Sequence, residues 1–320
     1  MRKGYTLALA ALFALVAALF ALVGYVRDHW GDMAVLNPAG SIAYEERSVM
    51  LITFALCAIV VIPVFFMLFY FAWKYRASNF KTISHHLPEW DHTRGAEVVT
   101  WIVPSVIIAL LAVLAWQSSH ALDPYRPLKG EPLTVEVVAL DWKWLFIYPD
   151  QNIASINLLE IPVDRPVHFE LTADAPMNSL WIPQLGGQIM VMPGMQTQLY
   201  LSADRTGDFN GFSGNISGDG FAGMAFTARA VSASDFEAWV ASAQRSGVPL
   251  DDASYSALAL PSEYNPVTLY APVQESLYTD TMMRSMGSES AAMGGMTMPA
   301  TLTNTLPGMD MGGEGAAHMQ

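Results

Sequence analysis

Three long apolar runs occupy the first third of the chain, at about 7–23, 48–73 and 98–117. A helix needs about 20 apolar residues to cross the hydrocarbon layer of a bilayer. The second and third runs therefore predict two transmembrane helices, which form a membrane hairpin within residues 27–117. The link between them, 74–97, contains four basic residues, and positive charge marks the cytoplasmic side. Everything after residue 117 is then expected on the opposite face.

The first run has two open interpretations. Arg2 and Lys3 precede its apolar core, as in a secretory signal sequence. The core is somewhat long for such a signal and no clean A-x-A cleavage site follows it, whereas Tyr25 stands where a lipidated cysteine would be needed. Residues 1–26 are thus either a cleaved signal sequence or an N-terminal transmembrane anchor.

The pattern changes after residue 117 to short runs rich in β-branched and aromatic residues, separated by Gly, Pro, Asn and Asp. Several short strands with turn signals between them are typical of a sandwich or barrel. We expect such a domain at 118–232. The predicted strands lie at 134–148, 153–161, 166–172, 179–182, 197–202 and 224–231.

The remaining chain predicts a helical extension at 233–280 and a disordered tail at 281–320. Ser234 and Glu237 have the spacing of a capping box, and apolar residues at helical spacing continue to about Arg245. A second packed segment is expected at 249–278. From Met282 onward the chain is low-complexity and rich in Gly, Ser, Ala and Met, a composition that buries too little apolar surface to order itself.

Composition and charge fit this division. The chain is 52% hydrophobic and 14% charged, whereas charged residues make up about 25% of an average soluble domain. The net charge is −13, and the residues after 117 carry 22 acidic and 8 basic side chains. This acidic domain is a poor candidate for nucleic-acid binding, which needs a basic surface. Cys57 is the single cysteine, so the chain contains no internal disulfide.

Three strings are similar to subunit II of the haem–copper oxidases. Residues 97–104 read E-V-V-T-W-I-V-P, residues 141–149 read D-W-K-W-L-F-I-Y-P, and 178–183 with 213–224 have the frame of a dinuclear copper site. The resemblance covers residues 35–278. It implies a membrane-anchored α + β fold, with two transmembrane helices, or three if the first run is retained, followed by a cupredoxin-like β-sandwich or barrel.

The first two strings carry further implications. The resemblance places Glu97 at the mouth of a proton path into subunit I. In the second string, Trp142, Trp144, Phe146 and Tyr148 would share one face of a strand, since side chains alternate along a strand. We interpret that face as packing against the membrane subunit rather than as an electron path.

The third string departs from the family at most of its ligand positions. The resemblance implies two thiolates, two imidazoles and a thioether, because soft sulfur ligands suit copper. Here the aligned positions are Asn178, Ser213, Ser217, Phe221 and Met224, and only the methionine matches. We expect a vestigial copper site, no metal or other cofactor bound by this chain and no catalytic residue in it.

The chain keeps the spacing of the copper site but lacks most of its ligands. In this it resembles the quinol-oxidising branch of the family, the cytochrome bo-type ubiquinol oxidases. This implies subunit II of a proton-pumping quinol:O2 oxidoreductase of the aerobic respiratory chain, with a structural or assembly role. Ubiquinol oxidation and O2 reduction would occur in subunit I, which holds the haems and copper. The expected partners are subunit I, smaller membrane subunits and membrane lipid, without cytochrome c. The expected location is the bacterial inner (plasma) membrane, as a multi-pass protein with a periplasmic C-terminal domain.

Two alternatives remain open from the sequence. One is a cytochrome c oxidase subunit II with an active copper relay, against which the string at 213–224 argues. The other is a membrane-tethered copper-binding or chaperone module that uses the methionine-rich tail. Nine of the 18 methionines lie at 282–319, and thioethers favour Cu(I).

Overall fold

The computed structural model describes residues 21, 24, 25, 29, 33–76, 78–79, 93–245 and 247–294. Most of the segment 1–26, part of the loop 74–97 and the tail from 295 lie outside the described residues. The choice between a signal sequence and an N-terminal anchor therefore stays a prediction.

Two long helices form the membrane hairpin: α1 (Ser41–Lys74) and α2 (Arg94–Ala121). Both are long and apolar enough to cross a membrane, with mean hydropathies of 2.9 and 2.6, and their apolar windows are not buried within the protein. Their exposed apolar surface is that of helices in contact with lipid. The two long apolar helices predicted from the sequence are confirmed, and each extends beyond the predicted apolar run into polar residues.

The second half of the chain folds as two packed sheets. One sheet has six strands in the order β11-β3-β2-β1-β5-β8, and the other has five in the order β4-β10-β9-β6-β7. The strands are β1 (Leu133–Leu140), β2 (Lys143–Tyr148), β3 (Ile153–Ile156), β4 (Leu158–Pro162), β5 (Val167–Ala173), β6 (Asn178–Trp181), β7 (Gln188–Val191), β8 (Thr197–Leu201), β9 (Gly207–Ser213), β10 (Ala225–Val231) and β11 (Thr268–Tyr270).

The predicted strand at 134–148 is in fact a hairpin, and this corrects the expected aromatic face. The chain turns at Trp142, which has a left-handed φ of 61°, so its side chain does not continue the row of β2. Trp144, Phe146 and Tyr148 do share a face, but they are fully buried in the chain's own core between the two sheets. The interpretation that this face packs against a membrane subunit is wrong, because the opposite sheet already covers it.

The pattern reasoning missed β7, β9 and β11. Strand β9 reads G-D-F-N-G-F-S and β7 has mostly exposed or half-exposed residues, so neither shows a strong apolar alternation. Tertiary pairing forms them instead: β9 lies between β10 and β6, and β11 adds to β3 at the sheet edge. Strand propensity depends on such neighbours more than on the residues alone.

The C-terminal extension packs on the sandwich in two places: its first helix adds Phe236 and Ala243 to the core between the sheets, and the later segments cover the outer face of the six-stranded sheet. It contains α3 (Ala233–Gln244), α4 (Asp252–Leu258) and α5 (Leu277–Gly294). Helix α3 ends close to the predicted position, but its N-cap is Ser232, which accepts from Asp235 N, rather than Ser234. A second apolar cluster, which includes Leu145 of β2 and Tyr255 of α4, explains why β2 is buried on both faces.

The predicted disordered tail begins too early, because α5 continues through residue 294. Leu277, Thr281 and Ser285 are buried along one side of this helix, and Ser285 Oγ donates to Ala173 O at 3.4 Å. Small side chains permit this close approach: Met286 N lies 3.1 Å from the position that a Cβ on Gly194 would take. The part of α5 up to Met286 therefore packs against the sandwich.

A short junction holds the sandwich against the membrane helices. Ala39 N donates to Gln184 O at 2.6 Å, and Asp204 N donates to Ala39 O at 2.7 Å. One turn into α1, Glu46 Oε1 accepts from Gly187 N at 3.0 Å. Gly186 has a φ of 89°, and a Cβ there would lie 2.7 Å from Ala43 N, so the contact requires glycine.

A pH-dependent stability follows from two carboxylates on neighbouring strands. Glu136 of β1 lies beside Glu170 of β5. Burial raises the pKa of Glu136 from 4.5 to about 7, and the Glu170 carboxylate adds to the shift. The folded state therefore disfavours ionised Glu136, and the free energy of unfolding should fall as pH rises from about 4.5 to about 7.

We expect Glu136→Gln to flatten this fall and to stabilise the protein at pH 8 by about 1 kcal/mol, a value reduced for solvent screening of a partly exposed group. Denaturant unfolding in detergent at several pH values measures it. Glu237→Gln, at an exposed position on α3, serves as the control and should leave the slope unchanged. An unchanged slope in Glu136→Gln would contradict the assignment.

Candidate functional site

The residues of the third sequence string meet at one end of the five-stranded sheet. Asn178 begins β6 and Ser213 ends β9, and these two strands pair antiparallel. Both side chains are buried, with 1% and 3% of their surface exposed. Ser213 Oγ donates to Asn178 Oδ1 at 2.9 Å, so the structure joins two positions that lie 35 residues apart in sequence.

Ser213 is also the acceptor for two backbone amides. Ser179 N donates to its Oγ at 3.4 Å and Asn215 N at 3.3 Å. The Asn178 amide donates in turn to Pro176 O at 2.7 Å. One hydroxyl thus connects β6, β9 and the first residues of the following loop.

The other three residues lie in the loop that connects β9 to β10. Asp219–Gly223 forms a 3-10 turn, in which Phe221 N donates to Gly218 O and Met224 N to Phe221 O. The Ser217 hydroxyl lies 4.0 Å from the Met224 sulfur, which is a weak contact. Met224 is 1% exposed, while Ser217 and Phe221 are half-buried. The five residues therefore form two side-chain contacts, Asn178 with Ser213 and Ser217 with Met224. Phe221 lies in the turn between Ser217 and Met224.

Trp142 packs over this loop, which sequence reasoning did not foresee. Its Nε1 donates to Ser217 O at 3.3 Å. A Cβ on Gly220 would lie 2.4 Å from the indole ring, and Gly218 has a φ of 122° against the same ring. The glycines at 218 and 220 were the available signal, because their absent side chains make room for a large neighbour.

Glu97 lies at the far end of α2. It is exposed in the first helical turn, and its backbone N donates to Thr93 O. The 24 residues from Glu97 to Ala121 correspond to ~36 Å of helix. The structure therefore does not bring Glu97 near the loop at 213–224.

Two family models match this chain. The periplasmic domain of cytochrome c oxidase subunit II matches residues 152–231, and the COX aromatic rich motif matches residues 244–289. The first covers most of the sandwich and the second covers the extension from the end of α3 into α5.

Relatives match over most of their length. Cytochrome bo(3) ubiquinol oxidase subunit 2 of Pseudomonas putida is 49% identical over 78% of this chain and 80% of the relative. Ubiquinol oxidase subunit 2 of Acetobacter aceti is 47% identical over 77% and 81%. Quinol oxidase subunit 2 of Bacillus subtilis is 36% identical over 79% of each.

The chain belongs to the ubiquinol oxidase subunit 2 family. Its sandwich is accordingly the cupredoxin-like domain of subunit II, so the predicted fold class and the recognised resemblance are confirmed. The subunit II role is confirmed with them, and the chain is part of an oxidoreductase complex.

Asn178 and Ser213, the buried polar side chains of the site, are neutral, while Asp219 lies in the loop and the Glu263 side chain packs against Gly220. Among the described residues, no group of three or more His, Cys, Asp or Glu side chains lies close enough to hold a metal ion. Lys143, next to Trp142 in sequence, is a buried cation, and its Nζ donates to Leu260 O at 2.8 Å. Burial lowers the pKa of Lys143. Lys143 therefore links the C-terminal extension, at Leu260, to the β1–β2 turn at Trp142.

The two serines of the string allow a matched comparison. Ser213→Ala should lower the free energy of unfolding by about 1–2 kcal/mol, because Asn178 Oδ1 and two backbone amides lose a buried partner. Ser217→Ala should cost less than about 0.5 kcal/mol, since that hydroxyl is half-exposed and only weakly bonded. Denaturant unfolding of both variants in detergent checks this, and equal effects would show that the buried hydrogen bonds do not hold the loop.

Proposed function

We propose that this chain is a copper-free, non-catalytic subunit of a proton-pumping quinol:O2 oxidoreductase. In this proposal the partner subunit I holds the haems and copper and carries out ubiquinol oxidation and O2 reduction. The observation that carries it is the buried Ser213–Asn178 hydrogen bond, which lies where the family resemblance places a thiolate and an imidazole.

The donor set argues against copper at this end of the sheet. Serine hydroxyls stay protonated near neutral pH and are hard ligands, and phenylalanine cannot ligate at all. Copper relay sites depend on thiolate sulfur, with a thioether as a weak additional ligand. The soft atoms here are thioethers only: the Met224 sulfur is buried against Ser217, and the Met190 sulfur lies 3.9 Å from Asn215 Nδ2. A loop that neutral hydrogen bonds close needs no ion to shape it.

A quinol donor explains why such a relay is dispensable. Cytochrome c delivers electrons from the water-facing side and needs a docking metal, whereas a lipid quinol delivers them within the membrane. Trp144, Phe146 and Tyr148 then serve as core residues, in keeping with their complete burial. The relatives named ubiquinol oxidase subunit 2 support a quinol as the donor.

The chain's own contribution is structural in this proposal. The α1–α2 hairpin would pack against subunit I and smaller membrane subunits in the bacterial inner membrane, and the sandwich would lie on the periplasmic face. We retain Glu97 as the proposed mouth of a proton path, which its exposure at the opposite end of α2 permits.

The choice of electron donor tests this proposal. The intact complex, extracted in mild detergent with this chain, should consume O2 with ubiquinol and show no consumption above background with reduced cytochrome c. Met224→Leu is the matched control: it removes the thioether but conserves volume, so ubiquinol turnover should be unchanged. The proposal would be overturned if the native complex oxidised cytochrome c and the Met224→Leu variant lost that activity.

A further inference from the structure

A continuous groove lies where the sandwich meets the membrane helices. Its upper part, ≈ 490 Å³, is bounded by the link after α2 and by the sandwich. Its lower part, ≈ 330 Å³, lies between the sandwich-side ends of α1 and α2 and includes Val49 and Leu114. The two parts share Glu45, Ala121 and Leu122, so they form one path from an apolar cleft to a charged chamber.

The groove lies at the depth of the lipid headgroups. Trp116, with 70% of its surface exposed, precedes the lower part by one residue, and its ring lies 4.4 Å from that of His120. Exposed tryptophans at the end of a transmembrane helix mark the membrane–water interface. An amphiphile in the groove would therefore have its polar end in the upper part and its chains in the bilayer.

One wall of the upper part is acidic. Asp164 N donates to Ala203 O at 2.9 Å, which places Asp164 beside Asp204. Burial and the Asp164 charge both raise the pKa of Asp204, as expected of two neighbouring carboxylates without a cation between them. The adjacent arginines are engaged elsewhere, because Arg165 donates to Glu131 O and Arg205 to Asn37 Oδ1.

The link after α2 supplies two cations to the same chamber. Arg126 and Lys129 line the same chamber, are exposed, and form no ion pair within the part of the chain that the structure describes. The link itself is fixed, since Tyr200 N donates to Pro124 O at 3.2 Å. With Glu45 and Asp123 also in the lining, the chamber contains four carboxylates and two cations.

We propose that this groove binds one phospholipid with a zwitterionic headgroup that ends in a primary amine. Arg126 and Lys129 hold the phosphate, Asp164 and Asp204 hold the ammonium group, and an acyl chain enters the cleft between α1 and α2.

The charge balance selects this headgroup class. An anionic glycerol headgroup would bring a negative charge into a chamber that already has an excess of carboxylates. A choline headgroup carries the positive charge but has no N–H, whereas a primary ammonium donates three hydrogen bonds. The combined volume also falls in the range of small-molecule sites, ~300–1,000 Å³.

The test uses the full chain, purified in detergent and incubated separately with phosphatidylethanolamine, phosphatidylcholine and phosphatidylglycerol of equal chain length. Native mass spectrometry measures bound lipid per chain. We expect one tightly retained phosphatidylethanolamine, bound at least tenfold more strongly than either other lipid. Asp164→Asn with Asp204→Asn should remove this preference and raise phosphatidylglycerol binding. Arg126→Gln with Lys129→Gln should weaken all three lipids.

Arg245→Gln with Glu237→Gln, at exposed positions on and just after α3, is the control and should leave the preference intact. Equal binding of the three lipids by the native chain, or the same preference in the Asp164→Asn/Asp204→Asn variant, would overturn the proposal. Lack of any bound lipid because the chain's own segment 1–26 fills the groove would also overturn it, and cross-linking of Lys129 to that segment would reveal this.

Discussion

The shape of the loop between β9 and β10 depends on one buried hydroxyl, that of Ser213. It donates to Asn178 and accepts from the backbone of both β6 and the loop. Trp142 then packs on the two loop glycines from the adjacent sheet. Neutral hydrogen bonds and one aromatic ring therefore shape this loop. Because the bonds are buried, each contributes through the cost of leaving its partners unpaired.

The position of this domain on the membrane rests on a second, shorter set of contacts. Backbone hydrogen bonds on both sides of Ala39 and the Glu46–Gly187 contact join the start of α1 to the sandwich. Gly186 permits the approach because any side chain would meet the helix backbone. The same junction leaves an open groove on its flank, with charged groups above and apolar groups below. Such a junction fixes the sandwich relative to the two apolar helices.

Sequence patterns predicted the parts of the fold that local chemistry determines. The runs that became α1 and α2 are long enough to specify membrane helices alone, and most of the strands with β-branched residues appear where predicted. Strands β7 and β9 could not be predicted from alternation, because pairing with neighbours forms them. Local sequence was misleading at two other places. The residues around Trp142 indicated a continuous strand, but the chain turns there. The residues after Met282 indicated a disordered tail, but they continue a helix. The sequence identified Asn178 and Ser213 as positions of one site, but it could not show that they are in contact. That contact depends on the pairing of β6 with β9.

Copper content is the most direct measure of the proposed copper-free role. The full chain, expressed with copper in the medium and washed with a Cu(I) chelator, would be analysed for bound metal and for thiolate-to-copper absorption. We expect substoichiometric copper and no such absorption, since Cys57 is the single thiol and lies in α1. The copper-free role would be contradicted if the native chain kept stoichiometric copper after the chelator wash and the Met224→Leu variant lost it.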